Sequence, residues 1–172
     1  MGNRGHNLGF TLAELLIALV ILGVIATFTI PKVLSSQQSN QWKSQAKEVA
    51  SMISGAYSVY QSENSASAST TTADLSPYMN YISVDTSTTI DYVTGAGTFN
   101  CSAAFPCLKT HSGGSLVVTS MGSFGGTSAT DCLNMLYDPD GISLGNEDSI
   151  IFMLCFNGRI ASLGDPAWFS WD

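Results

Sequence analysis

Charge is what this sequence has least of. Asp, Glu, Lys and Arg make up 11% of its 172 residues, against roughly a quarter in an ordinary soluble domain. Much of any exposed surface must therefore be Ser, Thr, Gly and Asn. Bases are scarcest, six against thirteen acids for a net charge of −7, and beyond Lys43 and Lys47 they form no cluster. Neutralising phosphates requires clustered Lys and Arg, so no nucleic acid is expected to bind the body of the protein. Histidine is nearly absent, with only His6 and His111. No G-x-S-x-G, Walker-type or dinucleotide-binding Gly pattern occurs, and no spacing among the many Asp and Ser marks a nucleophile with its base. His111, close to Gly113 and Gly114, reads as a loop residue, and the chain is not expected to be an enzyme.

Charge is missing most conspicuously from Phe10 to Ile30, 21 residues in which Glu14 is the one ionisable side chain. As a helix this run rises about 30 Å, the thickness of the hydrocarbon core of a bilayer. Small residues of a secretory cleavage site do not end it; Ala26-Thr27-Phe28 continues into Pro31 and a second helical pattern, so the run is expected to be retained. The leader MGNRGHNLG carries Arg4, in accord with a cytoplasmic N-terminus and an exported C-terminal part. A lone carboxylate in hydrocarbon costs several kcal/mol without a partner. No cation lies within a helical turn of Glu14, so its partner is expected from another chain or from a new N-terminal amine.

Gly9-Phe10-Thr11-Leu12-Ala13-Glu14 followed by the apolar run resembles the type III signal of type IV pilins and pseudopilins. The resemblance implies that a prepilin peptidase cuts between Gly9 and Phe10, that Phe10 is then N-methylated, and that Glu14 docks the subunit into a filament. Gly23 and Pro31 fall where pilins often carry helix-loosening residues. The implied partners are identical or related pilin subunits in a helical filament, the prepilin peptidase and an inner-membrane assembly platform. The implied location is the cytoplasmic membrane before assembly and an extracellular or periplasmic filament afterwards. Two other readings stand beside a principal filament subunit. One is a minor pilin or type II secretion pseudopilin with an adhesive or ligand-binding head; the other is a membrane-anchored enzyme or receptor.

Past Pro31, Trp42, Ala46, Val49, Ile53, Ala56 or Tyr57, and Tyr60 recur at spacings of three and four, one face of an amphipathic helix. The expected organisation is a leader at 1–9, a hydrophobic helical half at 10–31, an amphipathic half at 32–64 and a head at 65–172. SASASTTTA, residues 65–73, reads as a flexible link or exposed loop. Strands are predicted at Tyr78–Val84, Ser115–Met121, Cys132–Tyr137, Ser149–Phe156 and Arg159–Leu163, with Asn157-Gly158 as a hairpin turn. One long helix followed by strands gives an α+β fold, the helix packed on a small antiparallel sheet. SIIFMLCF is apolar on both alternating faces and should be covered on both.

Four Cys and an export-type segment point to two disulfides. Pairing Tyr137 with Ile150 sets Cys132 opposite Cys155 and leaves Cys101 and Cys107 as a small loop. Pairing Tyr137 with Ser149 sets Cys132 opposite Leu154 and turns the two sulfurs apart. A zinc set of Cys101, Cys107, His111 and Cys132 has no standard spacing. Asp138, Asp140, Glu147 and Asp148 crowd one loop, where hard oxygen ligands make calcium a candidate cofactor. The EF-hand pattern fails after Asp138-Pro139-Asp140-Gly141, and Pro-Asp-Gly is also plain turn chemistry. The loop loosely resembles one before the last strands of some pilin-like proteins, calcium-binding pseudopilins among them. Trp168, Phe169 and Trp171 read either as a final segment folded onto the head or as an aromatic contact patch.

Overall fold

The computed structural model describes residues 11–91, 98–118, 122–141, 149–164 and 166–172. The chain divides into two compact units, residues 1–38 and 39–172, and a single helix, α1 (Leu12–Glu63), contributes to both.

In the first unit α1 runs without a break through Gly23 and Pro31. Pro31 has no N–H to give the carbonyl one turn earlier. The hydroxyls of Thr27 and Thr29 donate to the carbonyls of Val24 and Ile25 at 2.7 and 3.0 Å, so these polar atoms are satisfied within the helix.

In the second unit the spacing of three and four becomes a buried stripe: Ala46, Val49, Ala50, Ile53, Ala56 and Tyr57 are all at most 5% exposed. They pack on one face of a six-stranded antiparallel sheet. Its strands are β1 (Ser83–Asp85), β4 (Cys107–Lys109), β5 (Ser115–Val117), β6 (Cys132–Asp138), β7 (Ile150–Cys155) and β8 (Ile160–Leu163), hydrogen-bonded in that order. Between β1 and β4 the chain forms a separate hairpin of β2 (Thr89–Asp91) and β3 (Thr98–Asn100).

Because side chains alternate along a strand, β6 and β7 send Leu133, Met135, Tyr137, Ile150, Phe152 and Leu154 into the core shared with α1. A second, smaller core joins Val117 and Leu136 of the sheet to Ile90 of the hairpin and to Cys101 and Cys107, with Phe99 and Ile151 against it. β7 is thus covered on both faces, as its unbroken apolar run requires. Fully burying a side chain such as Ile53 contributes about 1.5–3 kcal/mol. The Tyr57 hydroxyl, which reaches past this core, donates to the Phe156 carbonyl at 2.7 Å.

The β6–β7 register is Tyr137 opposite Ile150 and Cys132 opposite Cys155, the first of the two pairings weighed. Several boundaries differ from the sequence reading. Tyr78–Val84 is not a continuous strand: Ser76–Tyr78 is a 3-10 turn with Pro77 in its first positions, where a missing N–H costs nothing, and only Ser83–Asp85 pairs. Residues 65–73 are not a free link. Thr70 and Thr72 are buried, Phe124 and Gly125 donate backbone N–H groups to the carbonyls of Thr70 and Ala68, and the Thr72 hydroxyl donates to the Val118 carbonyl. Thr71 and Asp74 cap each other around a short helix, α2 (Thr72–Leu75). The β7–β8 turn is a three-residue loop rather than two, since Cys155 N–H donates to the Arg159 carbonyl and Gly158 takes φ +83°. Within Ser115–Met121 only Ser115–Val117 is strand, and 119–121 lie outside the described residues.

Candidate functional site

From Leu12 to Leu34 every Leu, Ile, Val and Phe side chain is 53–76% exposed. The most apolar 18-residue window of α1 has a mean hydropathy of 2.5, and none of it is buried. By length and composition this helix can cross a membrane, and an apolar surface so continuous is one that lipid or protein covers.

Glu14 stands at the start of this surface, in the first turn of α1. Thr11 precedes the helix, and its backbone N–H and hydroxyl both donate to Glu14 Oε2, at 2.8 and 2.9 Å, while Glu14 N–H donates back to Thr11 Oγ1 at 3.2 Å. This is a reciprocal capping box: Thr and Glu three apart satisfy two N–H groups that an α-helix leaves unpaired at its start. Two local donors therefore serve Glu14, which the expectation of a partner from another chain overlooked; the Thr-x-x-Glu spacing was the signal. Neither donor is a cation, so the negative charge has no counter-charge among the described residues. Gly9 and Phe10 lie outside them.

The head distributes its polar groups differently. Cys101 is joined to Cys107 and Cys132 to Cys155, so no thiolate remains for a zinc set with His111. His111 Nε2 instead lies 3.1 Å from Asn80 Oδ1. In the acidic loop Asp138 is buried, and its Oδ1 accepts the backbone N–H groups of Asp140 and Gly141 at 3.2 and 3.1 Å, the turn geometry expected of Asp-Pro-Asp-Gly. Glu147 and Asp148 lie outside the described residues. No cluster of three metal-ligating His, Cys, Asp or Glu occurs among the described residues.

The C-terminal aromatics fold onto the head. Phe169 is buried and meets Phe152 and Trp168 edge to face, and Trp168 meets Trp42 at a centroid distance of 5.7 Å. Lys43 Nζ donates to Ser170 Oγ at 2.6 Å, and Lys47 Nζ to the carbonyls of Trp171 and Asp172 at 3.1 Å each. The only basic cluster of the sequence is thereby engaged in holding this segment.

Residues 4–30 match the family described as the prokaryotic N-terminal methylation motif. The match takes in Gly9, Phe10, Glu14 and α1 as far as Ile30, and marks a signal of the type IV pilin and pseudopilin kind. No curated protein and no solved structure matches the chain.

Proposed function

We propose that this protein is a structural subunit of a type IV pilus-like filament. Prepilin peptidase cuts it between Gly9 and Phe10, Phe10 is methylated, and the apolar part of α1 passes from the membrane into a filament core formed by copies of this chain or related pilins. One observation carries the reading: the methylation-motif match at 4–30 coincides with the stretch of α1 from Leu12 to Leu34, whose Leu, Ile, Val and Phe side chains are all exposed and whose one acid is Glu14. Head-to-tail contacts that do not close generate helical assemblies, and an exposed apolar helix supplies their centre.

Within this reading Glu14 has two successive environments. In the membrane the Thr11 cap offsets part of the cost of its carboxylate. In the filament the methylated amine of a neighbour supplies the positive charge the cap lacks. The N-terminus faces the cytoplasm and the head is exported, which suits two disulfides. The motif favours a structural role over an enzymatic one. A calcium ion in the Asp138–Asp148 loop belongs to the same proposal, with Asp138, Asp140, Glu147 and Asp148 as its candidate ligands.

The test is mass spectrometry of the N-terminus of this protein in filaments sheared from its native cells. A dominant chain beginning at methylated Phe10 supports a principal subunit, and a trace of it a minor pilin or pseudopilin. Intact Met1 or Gly2 chains confined to membranes refute the proposal in favour of an anchored head.

A further inference from the structure

The head carries a small cleft of about 80 Å³ between α1 and the turn joining β4 to β5. Its helical wall is Glu48, Val49 and Met52, and its opposite wall Thr110, His111 and Ser112, with Asn80 at the side. The turn is fixed in place: Gln45 Nε2 donates to the Ser112 carbonyl at 2.7 Å, and Thr110 N–H to the Gly114 carbonyl at 2.9 Å. Behind it lies the fully buried Tyr137. Burial chiefly raises the pKa of its phenol; the Ser112 and Thr110 hydroxyls oppose that shift, and the charges of Asp138 and Glu48 add to it. Glu48, on the helical wall of the cleft, is exposed.

The one acid of the walls is Glu48, and no Lys or Arg among the described residues lines the cleft. The Asn80 amide, the His111 ring and the Thr110 and Ser112 hydroxyls can accept as well as donate, Asn80 Oδ1 lies 3.1 Å from His111 Nε2, and Val49 and Met52 offer an apolar flank. The other cations of the head are largely committed: Lys43 and Lys47 hold the C-terminal segment, and Lys109 sits 3.5 Å from Asp85 and 2.7 Å from Ser115 Oγ. The volume suits a group of a few heavy atoms. An ammonium with three donors on a methylene stem matches both the acceptors and the flank.

We propose that the cleft formed by Glu48, Met52, Asn80, Thr110, His111 and Ser112 binds a primary ammonium on an apolar stem, either a soluble alkylamine or a lysine side chain of a second copy. The soluble case stands whatever the role of α1; the lysine case rests on the filament reading.

The full chain in detergent micelles is titrated with n-butylammonium and, separately, with n-butanol, following the amide resonances of Asn80, His111 and Ser112. Saturable shifts with the amine, weakened about tenfold by Glu48→Gln and not reproduced by the alcohol, support the site. An unsaturable response, or one equal in the variant or with the alcohol, overturns it. Glu48 is exposed, so the variant keeps the fold. Assembled filaments are then treated with a carbodiimide, which adds a carboxylate to give an O-acylisourea; an amine attacks the acyl carbon, forming the amide bond and expelling the urea. Excess coupling of Glu48 over the exposed Glu63 to a neighbour's lysine identifies the second copy as the source, and excess coupling to added n-butylamine identifies the soluble one. Equal coupling of the two carboxylates overturns the proposal even if filaments form.

Discussion

Single carboxylates in this chain differ by what donates to them. Asp85 receives the Thr88 hydroxyl and the Ser87 backbone N–H, Ser87 hydroxyl and Thr88 N–H, and Lys109 approaches it. These hydrogen bonds, that from the Thr88 hydroxyl first, hold its carboxyl far below the ordinary carboxylate range. A carboxyl depressed in the folded state contributes stability above its unfolded pKa of about 3.9 and loses it as pH falls through the folded value. Asp85→Asn should therefore melt lower than the parent at pH 7, and the two should converge on acidification from about pH 5 downward; parallel curves of melting temperature against pH would remove the assignment. For Glu14 the expected readout is assembly rather than stability. Glu14→Ala should leave membrane insertion intact and lower filament yield at least about tenfold, since a charge-assisted contact is lost at every subunit step; an unchanged yield of sheared filaments refutes a docking role. Glu14 was legible because a lone acid interrupts an apolar run, whereas Thr11 was passed over because attention to charge hid a neutral donor three residues away.

Elements were legible in proportion to their length. The α1 stripe spans several turns, and β6 and β7 each give enough alternation to mark them as strands, but two registers stayed open between them; the structure takes Tyr137 opposite Ile150 and so joins Cys132 to Cys155. Of the three-residue strands, β1 and β5 fell across or within predicted runs that proved too long, whereas β2, β3 and β4 show barely one alternation each and went unread. The Thr71–Asp74 cap was obscured by the Ser/Thr monotony around it. The β2–β3 hairpin meets the main sheet through a small second core and the Cys101–Cys107 bridge. Closing so short a loop contributes about 2 kcal/mol. Replacing both Cys by Ser should speed amide exchange of Ile90 and Phe99 more than tenfold while Leu133 and Leu154 stay protected. Uniform acceleration across the head would show instead that the hairpin and the main sheet open as one cooperative unit.

At the scale of the whole molecule the scarcity of charge is offset by how the few charges are used. Lys43 and Lys47 hold the C-terminal segment and Lys109 faces Asp85, which leaves an acidic protein with little capacity to attract polyanions. A cation bound to the acidic loop would stabilise only the folded chain, by about 2.7 kcal/mol at a hundredfold excess over its dissociation constant. Added chelator should then lower the melting temperature by several degrees, with recovery on adding calcium but not sodium; a melting temperature indifferent to chelator removes calcium from the proposal. The Cys132–Cys155 bridge has a mechanical consequence besides its thermodynamic one. It spans a sequence separation of 23, and an extended residue covers about 3.3–3.6 Å. A chain pulled from its two ends until the head gives way would thus keep about 80 Å of contour length in reserve behind this one covalent bond. A reductant would release that length, turning a tether of fixed reach into a longer one.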